Sequence, residues 1–515
     1  MYRAMTEPGL HGARLGLLTV AVSLGIFMNV LDTSIANVAI PTLSGDLGVS
    51  PDQGTWVITS FAVSTAIALP LTGWLGKRFG EVRLFVISVL VFTLFSWLCG
   101  LSGSLTTLVV FRVLQGAAAG PMIPLSQSLL LMNYPDEKKG IALAIWSLTA
   151  VVAPVAGPIL GGWITDDYSW PWIFYINVPV GLLSAYVTWL LLHQRETDTT
   201  RLPVDVVGLG LLVVGVACLQ IMLDKGNDLD WFGSPVIVTL AVIAVVALSY
   251  FIIWELTERH PIVDLTLFRQ TNFTIGTVAI SLGYMVFFGN IVIFPLWLQT
   301  QMGYTATWAG FAAAFIGILA FVISPIVGHL LSKLDLRALV SFAFIVFAVV
   351  SFWNASFNTD VDFDQLVLPR LLFGLGVPCF FIPLFAMSLS GLPPSRVASA
   401  SGLTNFLRIL GGSFGVSLSV TLWDRRQSFY DNRLTDLITA YNPVSRHYLE
   451  QLQSLGLDPL AASATLARST SQQAFMLATN DFFWLSGWIF VALLVLVWFA
   501  RPPFTAAGGG AEAAV

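Results

Sequence analysis

The chain has 515 residues, 56% of them hydrophobic and only 10% charged, against about 25% charged in an ordinary soluble domain. So little charge cannot coat a water-exposed surface of this size, and lipid is the expected solvent for most side chains. The formal net charge of −5 offers no basic footprint for a nucleic acid.

The polar start, MYRAMTEPGLHGARLGLL, lacks a small-residue cleavage site after a brief apolar core, so the first apolar run reads as a retained span. A helix needs about 20 apolar residues to cross the hydrocarbon core. Runs of that kind lie near 15–40, 54–76, 83–102, 105–131, 140–165, 171–193, 204–224, 235–256, 273–299, 306–332, 337–355, 364–390, 397–423 and 482–501, fourteen in all. The fold class is therefore all-α and polytopic. With the N-terminus in the cytoplasm, the inner segments hold fifteen Lys and Arg, among them Lys77, Arg78, Arg83, Lys138, Lys139, Arg337 and Arg396, and the short outer loops only Lys225. The positive-inside rule thus puts both termini in the cytoplasm.

Within the first span stands Asp32, the one clear mid-span carboxylate; Asp166, Asp224, Glu255 and Asp424 fall at predicted helix ends, where solvation explains them. At 3.6 residues per turn Asn29, Asp32, Thr33 and Ala36 share a small, polar stripe with Asn37 at its edge, as suits a helix lining a wet cavity. Arg112 lies well inside the fourth span, with Gln115 on the same face. An intramembrane guanidinium is costly unless it faces inward and finds a partner. Desolvation favours a neutral carboxylate and a nearby guanidinium a charged one, so moving Arg112 would switch the affinity of Asp32 for a proton. The expected proton-coupling cluster is Asp32 with Arg112, completed by Gln115 and Asn29.

The chain also repeats itself. The P-x-x-G unit at Pro70 and Gly73 recurs at Pro325 and Gly328; RVLQG at Arg112 recurs as RLLFG at Arg370; Pro135 recurs at Pro393, and Pro41 and Gly48 at Pro295 and Gly303. The offsets stay between 254 and 258 residues, in constant order. Two six-helix halves follow, over 15–193 and 273–501, with 204–256 as an inserted helix pair. Such halves are the architecture of a rocking transporter with its site between them. Repeat mates are Gly157 with Gly415 and Ala153 with Gly411, whereas the position matching Asp32 falls near Val286 and Phe287.

Several stretches resemble the major facilitator superfamily: GWLGKRFGEVRL from Gly73 its loop between spans two and three, RVLQGAAAG from Arg112 its fourth-helix basic motif, and APVAGPILGG from Ala153 its antiporter motif. LDTSIANVAIP, WPWIFYINVPVG, NFLRILGGSFG and the final RPPF are similar to the fourteen-span drug:proton antiporters, in particular the EmrB-type inner-membrane subunits of tripartite drug pumps. The resemblance covers nearly the whole chain. It implies proton-driven export of hydrophobic or amphipathic drugs from the inner membrane, a periplasmic adaptor and an outer-membrane channel as partners, and no cofactor beyond the proton gradient. In the antiporter motif Gly157, Gly161 and Gly162 admit a close neighbouring helix, while Pro154 and Pro158 bend the span, a seal or hinge on one side of the cavity. In the loop motif of Gly73, Lys77, Arg78, Gly80 and Glu81, Lys77 stands where the family has Asp and Glu81 where it has a base. With the charges exchanged, a salt bridge of the family's usual sign with the same partner is not assumed.

A drug cavity needs broad apolar contact and few fixed polar groups; Thr33, Phe288, Asn290, Trp297, Asn405 and Arg408 are the candidates. The long segment 425–481 is expected to form short helices outside the membrane and a docking surface for the adaptor, with a helix starting at Asp458-Pro459. Residues 502–515 read as a flexible tail. An exporter or importer of one solute, a fatty acid or siderophore, fits the same scaffold. An enzyme does not: the five His and three Cys are scattered without metal or catalytic spacing. No Gly-rich phosphate loop with Lys is present to bind ATP.

Overall fold

In a computed structural model of the chain, the described residues are 10–135, 138–200, 203–331, 333–439, 441–502 and 504. A helix satisfies its own backbone groups, the one solution open to a single apolar segment in lipid, and every predicted span is occupied by helix. The first half comprises α1 (Ala13–Asp46), the short α2 (Pro51–Gly54), α3 (Trp56–Ala68), α4 (Thr72–Phe79), α5 (Glu81–Gly100), α6 (Leu105–Asn133), α7 (Lys139–Asp167), α8 (Trp172–Tyr175) and α9 (Asn177–Leu192). The inserted pair is α10 (Val206–Lys225) and α11 (Pro235–Thr257). The second half comprises α12 (Thr271–Thr300), α13 (Ala306–Leu330), α14 (Leu336–Asn354), α15 (Phe363–Leu389), α16 (Pro394–Thr435), α17 (Pro443–Ser454) and α18 (Pro459–Val497). Among the described residues twelve helices are long and apolar enough to cross a membrane, and α3 with α4 forms one more candidate, bent by 62°. The 29-residue α7 fills the predicted span at 140–165.

Local chemistry sets the boundaries. Asp205 and Asp458 cap α10 and α18, accepting from Gly208 N at 2.9 Å and Ala461 N at 2.6 Å, and Pro opens α11, α16, α17 and α18 where no backbone donor is needed. The segment 425–481 differs from expectation. Most of it continues the neighbouring spans: α16 has 42 residues and α18 has 39, with only the 12-residue α17 between them. At 1.5 Å per residue α16 is about 63 Å long, roughly twice the hydrocarbon thickness. These helices stand out from the bundle because their polar outer turns need no lipid.

The internal repeat is a repeat of packing. In the first half α1 packs on α7 and α9, α3 on α6, and α5 on α6 and α9; in the second α12 packs on α16 and α18, α13 on α15, and α14 on α15 and α18. Gly48 and Gly303 both turn the chain at positive φ, 65° and 72°, where a side chain would be strained. A Cβ on Gly116 would lie 2.5 Å from the Phe61 carbonyl, and one on its repeat mate Gly374 would strike the Ile316 carbonyl. Small residues hold the same crossing twice.

The halves meet at the end of the bundle that carries the basic loops. There α7 packs on α13 and α15, and α16 on α4 and α6. Gly140 meets Gly328, Gly73 meets Ser399, and the Trp146 ring lies edge-on to Phe385 at 5.0 Å. The inserted α10 lies between α3 and α16 nearer the other end. Gln220 donates to Ser413 at 3.0 Å, Ser417 donates to the Leu223 carbonyl at 2.7 Å, and Thr59 of α3 donates to Asp224. Asp224 is exposed, as expected of a span end, and also accepts from α3. Glu255 departs from that expectation: it is buried, accepting from Val263 N at 3.1 Å.

Candidate functional site

The first-half site is assembled from α1, α3, α5, α6 and α9. Asp32 and Arg112 form an ion pair of 2.5 Å whose side chains are 1% and 0% exposed. Arg112 Nη1 also donates to Gln115 Oε1 at 2.9 Å, its Nε donates to the Val57 carbonyl at 3.0 Å, and its guanidinium lies 4.1 Å from the Phe61 ring centroid. Gln115 Nε2 completes a triangle by donating to Asp32 Oδ1 at 3.2 Å. Burying two charges costs several kcal/mol per ion unless the geometry and remaining hydrogen bonds compensate. Here the carboxylate and the arginine's Nε and Nη1 are engaged; Nη2 is the buried exception.

A further ligand, which the sequence reading passed over, is Asn177 at the start of α9. Its Nδ2 donates to Asp32 Oδ1 at 2.8 Å and to Ser96 Oγ at 2.9 Å. The stretch WPWIFYINVPVG contains it, but an Asn behind a Trp-rich turn reads as membrane-interface chemistry; only the break between α8 and α9 turns it inward. Asn29 does not join the cluster as expected. It donates to the Ala119 carbonyl at 3.1 Å and ties α1 to α6. Thr33 donates to the Asn29 carbonyl on its own helix at 3.3 Å.

Of the expected cavity residues, Asn405 reaches across to the first half, and Arg408 lies beside it. Gln127 of α6 accepts from Ser401 and from Asn405 Nδ2, the latter at 2.9 Å; Asn405 Oδ1 accepts from Arg408 Nη2 at 3.1 Å. Arg408 lies 4.7 Å from the Tyr284 ring centroid, and Tyr284 stacks on the half-buried Phe288 at 5.2 Å. Gln127 and Tyr284 were missed, although a Gln deep in an apolar span is the same signal that marked Gln115. Asn290 and Trp297 belong elsewhere. Asn290 donates to the Val286 carbonyl and to Ser486 of α18, at 2.8 and 3.3 Å. Trp297 is packed with Phe294, Trp423 and Phe482 inside the second half. A helix apolar on all sides gives no pattern telling its cavity face from its packing face.

In the antiporter motif Gly157 lies against Ser34 of α1, and Gly161 against Ile35. Gly162 faces open space, so the expectation that it admits a neighbour is corrected. The side chains of Pro154 and Pro158 lie outside the described residues. In the loop motif Gly80, at φ 89°, ends α4 and starts α5. Glu196, from the strap after α9, accepts from Val82 N and Arg83 N at 3.0 and 2.9 Å, an anion placed on a helix N-terminus. Arg78 lies over Trp74 at 5.3 Å, and Glu81 is buried. The exchanged charge Lys77 acts on Asp264, in the connection to the second half. Burial alone would raise the Asp264 carboxyl, but hydrogen bonds from Thr266 and Arg396, with the charges of Arg396 and Lys77, hold it below the usual carboxylate range.

The comparisons agree with this architecture. The family model described as Major Facilitator Superfamily matches residues 22–416, and the chain belongs to that family of transporters. Within it the chain is of the EmrB type. It is 53% identical to the multidrug export protein EmrB of Escherichia coli strain K12, over 98% of this chain and 99% of that protein. It is 52% identical to EmrB of Haemophilus influenzae, over 96% of this chain and 98% of that one. The fatty acid resistance protein FarB of Neisseria gonorrhoeae is 48% identical, over 98% and 100%. The fold matches the solved structure of the proton:xylose symporter XylE, with a TM-score of 0.61 at 14% identity, covering 95% of this chain and 96% of that one.

Proposed function

We propose that this multidrug-export transporter is a proton-coupled antiporter, moving hydrophobic and amphipathic drugs outward across the inner membrane by alternating access. The observation that carries this is the fully buried Asp32–Arg112 pair. A carboxylate buried in a membrane bundle and held by one movable cation is suited to take and release a proton as that cation shifts. Arg112 modulates the site and Gln115 orders it; energy comes from the proton gradient, without a cofactor or metal. Drugs would contact the aromatic and polar surface near Phe288, Asn405 and Arg408 between the halves.

The concentration of Lys and Arg on one set of loops puts that end, with both termini, in the cytoplasm. The connections flanking α17, at the protruding ends of α16 and α18, carry exposed apolar side chains, Tyr441 at 95% and Leu455 at 79%. They are the surface we assign to a periplasmic adaptor leading to an outer-membrane channel. The similarity to FarB favours a second reading, export of fatty acids on the same scaffold. Transport in proteoliposomes with an imposed pH gradient tests the first. Asp32→Asn should abolish substrate-coupled proton flux while drug binding persists, and flux equal to wild type overturns the assignment. A panel of drugs and fatty acids in the same vesicles separates the two substrate readings.

A further inference from the structure

Asp32 is surrounded by donors. Its Oδ2 accepts from Arg112 Nη1 at 2.5 Å, and its Oδ1 from Gln115 Nε2 at 3.2 Å and Asn177 Nδ2 at 2.8 Å. Such a shell suits a carboxylate ion; a protonated acid has an O–H of its own to donate and needs an acceptor. One neighbour must therefore change from donor to acceptor when the proton arrives.

Two of the three are poorly placed to do so. A guanidinium has no acceptor atom. Gln115 Oε1 already receives Arg112 Nη1 at 2.9 Å and lies 3.6 Å from Cys99 Sγ, so turning that amide would set its NH2 against the guanidinium donors. Asn177 is different. Its Nδ2 serves Asp32 and Ser96 Oγ, and the Ser96 hydroxyl in turn donates to the Phe174 carbonyl at 2.9 Å. A half-turn of the amide presents Oδ1 to both neighbours in place of Nδ2. The Ser96 hydroxyl can reverse with it, because a hydroxyl both donates and accepts.

We infer that Asn177 is the positioning residue that receives the acid proton of Asp32, its amide turning over on protonation while the Ser96 hydroxyl reverses. This rests on Asp32 being the proton site. The proton comes from water on the open side and forms an O–H bond at Oδ1; it returns to water on the other side, and no bond within the protein breaks. In the protonated state Ser96 donates to Asn177 Oδ1 and lets go of the Phe174 carbonyl. That carbonyl belongs to α8, just before the break into α9, so protonation removes the Ser96 hydrogen bond between α5 and α8 while Ser96 stays joined to Asn177 of α9.

The test is infrared difference spectroscopy of the full-length protein in lipid nanodiscs, acid against alkaline pH, following the carboxylic-acid C=O stretch. The band should be present in wild type and absent in Asp32→Asn. Asn177→Val should move it to higher frequency, because the acid O–H loses its acceptor. Asn177→Ser, which keeps a group able to donate and accept, should return it toward wild type. Ser96→Ala, a smaller change should the valine variant fold poorly, should also move the band, by less. A band that vanishes in Asp32→Asn yet is unmoved by Ser96→Ala and Asn177→Val overturns the inference alone. A band that survives Asp32→Asn overturns the proton-site reading beneath it.

Discussion

The guanidinium of Arg370 lies 3.5 Å from the ring centroid of Phe294, whereas its repeat mate Arg112 meets the carboxylate of Asp32. Arg370 is fully buried, and its Nε and Nη2 have no hydrogen-bond acceptor among the described residues. The two halves keep the cation and differ in what neutralises it. A desolvated cation–π contact returns about 2 kcal/mol, less than the several kcal/mol that burying an ion costs. Arg370→Met should therefore leave the melting temperature in detergent equal to or above wild type. Arg112→Met strands the Asp32 carboxylate and should cost about 3–5 kcal/mol. Thermal unfolding of both variants measures the contrast, and a larger loss from Arg370→Met would contradict it.

The antiporter motif yields a second contrast. A methyl on Gly157 would strike the Ser34 side chain and approach its backbone carbon at 3.1 Å, whereas one on Gly162 meets nothing. Gly157→Ala should destabilise by about 1–3 kcal/mol, the usual cost of overpacking, with loss of transport. Gly162→Ala should stay within about 0.5 kcal/mol of wild type. Melting curves and drug efflux by the same variants report both effects.

Two hydrogen bonds join the halves at the basic end. Gln127 accepts from Ser401 and Asn405; Gln127→Leu leaves both donors facing an apolar surface. The variant should shift toward a conformation open at that end. Spin labels at the exposed positions Arg83 and Leu334, one on each half, should show a longer mean distance than in wild type. An unchanged distance distribution would deny this contact a part in closure.

At the same end, Asp264 meets Arg396 in a 2.6 Å ion pair. Its folded-state carboxyl is held down, so its contribution is fully present above the unfolded value, about 3.9. That contribution is lost as pH falls through the folded value. At pH 7 Asp264→Asn should melt below wild type, and the gap should close as the pH drops beneath the usual carboxylate range. A gap that widens on acidification would reverse the sign argued here.

The parts legible in the sequence were those in which chemistry opposes the solvent. Asp32, Arg112 and Gln115 stood out because an ionisable or amide group in an apolar run demands a partner, and the structure brings these three together. The repeat was legible because Gly and Pro mark backbone crossings, and Gly116 and Gly374 make the same crossing. Asn177 escaped because the short α8 resets the helical phase, so counting along the chain cannot turn its side chain toward Asp32. Asn290 and Trp297 were misplaced because α12 is buried on several sides and its sequence holds no directional pattern. Glu255 looked solvated because a predicted span end cannot reveal a loop folded back against it.

The uninterrupted length of α16 has a mechanical consequence. One rigid rod holds Ser399, Ser401 and Asn405 against the first half at its start, and ends at Thr435 on the far protrusion. A tilt of about 10° around its midpoint would swing each tip by about 5 Å in opposite directions. Unlatching at one face is thus broadcast as displacement at the other, and a body resting on the outer tip would be pushed by the stroke itself.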